Sequence, residues 1–107
     1  MQTNNQIIEM MRHRDNIMRL VCAETKISPV AIMSKMRNRD VAQARHIIMY
    51  ALHHKHGYTT MEIGFMLGRT HGSVLHGLNN IANAISINLP YTREIKRIVN
   101  YLKNQPT

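Results

Sequence analysis

Apolar residues recur along this chain every three or four positions, and nowhere do they alternate with polar ones long enough to describe a strand. Between residues 3 and 24, Ile7, Met11, Met18, Val21 and Cys22 keep helical spacing, with room for a break at the charged run 12–15; the Cys22 thiol is expected to be buried. Ser28 followed by Pro29 sets an N-cap with proline in the first turn, opening a short helix over 28–35. The segment MRNRD, residues 36–40, reads as a basic connection ending in Asp40, an N-cap for a helix over 41–56. Val41, Ala44, Ile48, Ala51 and Leu52 share one face of that helix, and Gly57 ends it. Thr59 and Glu62 match a T-x-x-E capping box, opening a short helix with Ile63, Met66 and Leu67 inward. Gly68 breaks it. A longer helix over 70–86 is expected to bury Val74, Leu75, Leu78, Ile81, Ala82 and Ile85, and Pro90 precedes a last helix with Ile95, Ile98, Val99 and Leu102 inward.

The pattern predicts an all-α bundle of about six helices. A length of 107 residues suits one domain over 1–107, with 1–16 as a helical extension that acts as a cap or a partner surface. A single cysteine excludes an internal disulfide. No apolar stretch has the length of a membrane span or of the core of a secretory signal, so a cytoplasmic, membrane-free protein is expected.

Charge changes the picture from a generic bundle to a candidate for binding polyanions. Fourteen Lys and Arg stand against six Asp and Glu, a net charge of +8. A pI near 10.3 on a folded domain is the electrostatic footprint of a nucleic-acid binder.

The stretch GRTHGSVLHG, residues 68–77, concentrates short hydrogen-bonding groups where the longer helix begins. Short helix, glycine turn and longer helix together make a helix-turn-helix, whose second helix enters the major groove of DNA. At about 100° per residue, Val74, Leu78, Ile81 and Ile85 fall together, while Gly72, Ser73, His76, Asn79, Asn80 and Asn83 fall opposite. That outer face carries no formal charge. Base edges offer donors and acceptors rather than net charge, so a neutral polar face suits them; the alternative is a solvated amphipathic helix with neutral polar residues. The segment SKMRNRD adds Lys35, Arg37 and Arg39 on alternate positions, with Arg45 beyond, as cations for phosphates.

These pieces, SKMRNRDVAQARHIIMYAL followed by MEIGFMLGRTHGSVLHGLNNI, resemble the C-terminal DNA-binding domain of the bacterial replication initiator DnaA. The resemblance runs over about residues 17–102, in matching order, with one glycine fewer in the turn. It implies a six-helix, Trp-repressor-like domain that recognises a short asymmetric duplex site, in replication initiation or its regulation. It also implies that Arg37 enters the minor groove, that Thr70, His71, Gly72 and Ser73 face bases or neighbouring phosphates in the major groove, and that Lys35, Arg39, Arg45 and Arg69 hold the backbone. His76 joins the candidate set from its place on the outer face. Two positions depart from the family: Thr70 stands where an aspartate is usual, and Gly72 where a threonine is. Basic residues common near Asn79 and Asn80 are missing as well. The family's sequence preference therefore does not transfer.

Other chemistry finds little footing. His53 to His56, HHKH, has no cysteine or carboxylate partners at ligand spacing and reads as favourable positive charge at a helix C-terminus, not as a metal site. No G-x-x-x-x-G-K-[ST] loop is present to cradle phosphates, so these residues are not expected to hold the initiator's ATPase module, and an excised domain or a free-standing relative is expected. No nucleophile motif accompanies the six scattered acids, and neither an enzyme, a cofactor nor a small-molecule substrate is expected. The expected partner is double-stranded DNA, in a bacterium or a phage, with other replication proteins as further partners. The alternatives are a transcriptional regulator of the same fold and a basic helical module binding an acidic protein.

Overall fold

The computed structural model describes residues 3–106. Its helices are α1 (Asn4–Thr25), α2 (Pro29–Met33), α3 (Arg39–His56), α4 (Thr60–Leu67), α5 (His71–Ser86) and α6 (Arg93–Lys103), with a short 3₁₀ turn at Pro90–Thr92 before α6. Among the described residues there is no strand, and no helix is long and apolar enough to cross a membrane. The all-α expectation holds.

Local chemistry sets most of the boundaries. Ser28 caps α2 by accepting from the Ala31 amide, with Pro29 in the first turn. Thr59 and Glu62 form the reciprocal capping box of α4. Gly57 and Gly68 end α3 and α4 in the left-handed conformation, at φ 75° and 65°.

Three expectations need correction. The charged run at 12–15 does not break α1, because it contains no helix breaker and its charges find partners along and beside the helix. Arg12 pairs with Glu9 one turn back, and Arg14 donates to the Met66 carbonyl at 3.0 Å. Asp40 is not the N-cap of α3. Asn38 occupies that position without a side-chain cap bond, and Asp40 lies in the first turn, where a negative charge favours the helix dipole. Cys22 is only half-buried.

Helix α3 is the axle of the bundle and packs against each of the other five helices. Ile47, Ile48, Met49 and Leu52 are fully enclosed along it. Helix α6 closes one side with Ile95, Ile98, Val99 and Leu102, all buried as their spacing predicts.

The fourth correction concerns the rotation of α5. Leu75 is 45% exposed and Ala82 is exposed, while Gly77 is buried in their place. A Cβ at Gly77 would lie 2.6 Å from Met49 Sδ and 2.8 Å from His46 Cδ2, so α3 and α5 meet over a bare backbone. The interface therefore centres on the Gly77 side of the helix. A glycine adds nothing to a hydrophobic pattern, so an inventory of apolar residues takes in Leu75 and Ala82 and passes over Gly77.

The turn between α4 and α5 is folded back on α4. The Arg69 amide donates to the Gly64 carbonyl at 2.8 Å, and a Cβ at Gly64 would sit 2.6 Å from the Arg69 carbonyl oxygen. Because that obstacle is backbone, Gly64→Ala is expected to cost about 1–3 kcal/mol. Gly72 has open space around its Cβ position, so Gly72→Ala in the first turn of α5 is expected to be neutral or to gain up to about 1 kcal/mol. Urea unfolding of the two variants compares them directly; equal losses would contradict the close approach at Gly64.

Candidate nucleic-acid interface

Two structural parts carry the candidate residues. The first is α4–turn–α5. Thr70 is the N-cap of α5, its hydroxyl accepting from the Ser73 amide at 3.1 Å. The expected role of Thr70 at a base or phosphate thus shares its oxygen with a capping bond worth about 1 kcal/mol. His71, Gly72 and Ser73 follow in the exposed first turn, where the amides of His71 and Gly72 are among the groups a helix leaves without intrahelical partners. Their dipoles favour an anion. His71 is held in place: its Nδ1 lies 2.8 Å from the Thr60 hydroxyl at the start of α4, which leaves Nε2 facing outward. Sequence reasoning missed Thr60, since nothing in its spacing pairs it with His71.

Along the outer face of α5, His76, Asn79, Asn80 and Asn83 are exposed as expected. Asn80 is part of a small network across to α3. Its Nδ2 lies 3.4 Å from His46 Nδ1 and 3.3 Å from His76 Nε2, and the two imidazoles meet edge to face at 5.7 Å. Burial pushes the His46 imidazole down to about 4, with repulsion from His76 and Arg45 adding to the shift. A neutral His46 ring can accept from the Asn80 amide.

The second part is the connection between α2 and α3. Lys35 and Arg37 are exposed on it, and Arg39 is exposed at the first position of α3, one residue inside the helix. None of the three forms an ion pair among the described residues. The ion pairs present bind Glu9, Asp15, Glu24 and Glu94 to cations of α1 and α6. No acidic residue occurs on α2, on the connection at 34–38 or on α5. The positive charge of the first part's neighbour is left uncompensated.

Arg45 differs from expectation. Expected among the phosphate contacts, it is only 6% exposed. Its Nε donates to the Ile32 carbonyl at 2.9 Å, and its Nη2 to the Ser34 and Met36 carbonyls at 3.1 and 3.2 Å. Arg69 is half-buried in the turn and donates through Nη2 to the Ile32 carbonyl at 3.3 Å and to that of Ser34. A chain end of short-range sequence cannot reveal such a use, because the carbonyls of every segment look alike in sequence.

The histidines of HHKH have separate partners, although the His53 and His54 rings meet edge to face at 4.9 Å. His53 Nδ1 donates to the Tyr58 carbonyl at 2.8 Å, His54 packs on Tyr50, and His56 stacks on His13 with ring centres 3.9 Å apart. Among the described residues no three His, Cys, Asp or Glu side chains converge as a metal site would require.

A short helix, a left-handed glycine turn and a second helix with its polar face outward define a helix-turn-helix protein. The family model of the bacterial DnaA protein helix-turn-helix matches residues 14–81, and the chain belongs to that family. Similar proteins include the chromosomal replication initiator protein DnaA of Bacteroides thetaiotaomicron, 30% identical over 85% of this chain and 20% of that protein. The protein of the same name from Gloeobacter violaceus is 34% identical over 83% of this chain and 20% of its own length. That of Roseiflexus castenholzii is 32% identical over 82% and 18%. The chain spans about a fifth of the length of these relatives.

Two half-buried histidines make stability depend on pH. The unfolded chain takes up protons on His46 and His56 as pH falls through about 6.5, whereas the folded protein resists until about 4. The unfolded state therefore binds more protons in that window, and stability is complete above about 6.5 and falls progressively toward 4. Thermal melting at pH 7.5, 6.5, 5.5 and 4.5 is expected to show this decline, less steep in His46→Gln. An unchanged slope in that variant would mean that His46 takes up its proton over the same pH range in the folded and unfolded states.

Proposed function

We propose that this chain binds a short duplex DNA site sequence-specifically, in replication initiation or its regulation. In this reading α5 lies in the major groove. His71, Ser73 and His76 read base edges, Gly72 allows close approach of the backbone, and Thr70 sits at the junction with the first phosphate. The connection between α2 and α3 follows the backbone into the adjacent minor groove, where Arg37 enters. Lys35 and Arg39 rest on phosphates.

One juxtaposition carries the proposal: an uncharged, hydrogen-bonding helix face beside a chain segment whose Lys35, Arg37 and Arg39 have no acidic partner. A module for an acidic protein would use the cations but has no need of the neutral face. The family and the name that its relatives bear support the placement in replication.

Binding is expected to depend steeply on salt. With about five phosphates contacted, the log–log slope of affinity against salt falls near −4 to −5. A slope near zero, by titration in rising salt, rules the DNA reading out.

Within the site, roles separate by sequence dependence. His71→Ala is expected to relax preference at one base pair, costing about 1–3 kcal/mol there while other sequences are little affected. Arg37→Ala is expected to reduce preference for A·T pairs at one end of the site, and Lys35→Ala to weaken all duplexes alike and lower the salt slope by about one. The measurement is binding to two duplexes that differ only in the A·T content of that flank. Equal losses on both for every variant would remove Arg37 from the minor groove.

A further inference from the structure

The two parts of the interface are joined by a pair of arginines. Arg45 from α3 and Arg69 from the turn before α5 converge on the same two carbonyls, those of Ile32 and Ser34. Arg45 also reaches the Met36 carbonyl, next to Arg37. Arg69 in turn is bonded through its backbone to Gly64 and directly precedes the N-cap of α5. No carboxylate shares in this arrangement among the described residues. Burial, and then the neighbouring Arg69 charge, hold Arg45 below the ordinary arginine value.

Placing two like charges together is an inefficient way to stabilise a fold. It does fix geometry. The carbonyls at the end of α2 lack helical partners, and charge-assisted bonds from a planar guanidinium can hold two of them at a set angle. We propose that Arg45 and Arg69 form a clamp that holds the segment bearing Lys35, Arg37 and Arg39 at one distance and angle from the start of α5. The spacing between the major-groove and minor-groove halves of the DNA site is then itself a determinant of specificity. Both arginines are positioning residues, and neither needs to touch DNA in this role. The proposal rests on the DNA reading above.

The test begins by selecting bound duplexes from a random pool with the unaltered protein. The A·T-rich flank of the selected site is then moved by one or two base pairs relative to the rest. A one-base-pair shift displaces that flank by about 3.4 Å along the axis and by about a tenth of a turn around it. The unaltered protein is expected to lose about tenfold in affinity for the shifted duplex, the scale of one good base contact. Arg69→Met and Arg69→Lys are expected to lose most of that discrimination, to within about threefold, with the salt slope unchanged. Both Arg69 bonds leave from Nη2 at the far end of the guanidinium, and lysine, which keeps the charge on a shorter side chain without that planar group, should not rescue. Full discrimination in Arg69→Lys would overturn the clamp. So would a salt slope lower by about one with all duplexes weakened alike, the mark of a phosphate contact.

A second readout needs no DNA. Backbone ¹⁵N order parameters at residues 35–38 are expected to fall in Arg69→Lys and in Arg45→Lys while the helices keep theirs. Unchanged order there would also overturn the proposal. If the unaltered protein selects no duplex, the DNA reading fails, and the order parameters still decide whether the arginines hold the segment.

Discussion

The contact between α3 and α5 at Gly77 governs the arrangement of everything that faces outward. Met49 and His46 occupy the space that a side chain at Gly77 would need, so the two helices lie close with the Gly77 side of α5 turned inward in this rotation. That rotation buries Val74, Leu78 and Ile81 and turns His71, Ser73, His76 and Asn80 to the surface. It also exposes part of Leu75 beside His71's side of the helix, giving the outer face an apolar edge. The same α3 that packs on α5 supplies Arg45 from its N-terminal half, so one helix holds both halves of the proposed interface.

Electrostatics divides the molecule by use. Acids on α1 and α6 are matched by Arg12, Arg14 and Arg97 within a turn or across the helix pair, where exposed pairs add only tenths of a kcal/mol. The cations of the α2–α3 connection have no such matches, which leaves their field available to a partner. Arg45 and Arg69 sit between these two regimes. Their charge is spent on backbone carbonyls, and its effect is to shape the connection rather than to project from it.

The N-terminal part of α1 precedes the residues matched by the family model, yet it is tied to the bundle. Met10 is buried, and His13 stacks on His56 while its Nδ1 lies 2.7 Å from the Tyr58 hydroxyl. Two stacked imidazoles disfavour a second proton, and burial followed by the His13 charge brings His56 down to about 4. The end of α3 and the N-terminal half of α1 are thereby joined through the His13–His56 stack and the Tyr58 hydroxyl.

The amino-acid sequence by itself determined the order of the helices and most of their caps. Ser28-Pro29, Thr59 with Glu62, Gly57 and Gly68 act within four residues of where they stand, so their consequences can be read locally. The neutral outer face of α5 and the basic connection follow from periodicity and charge alone. Tertiary structure decided the rest. Whether Arg45 faces solvent or carbonyls depends on α2 lying across α3, a contact between segments that no spacing encodes. The rotation of α5 depends on a glycine, which carries no hydrophobic signal but admits a neighbouring helix. His71 is held by Thr60, and His46 is held neutral by its surroundings, because folding brings together groups that are distant along the chain.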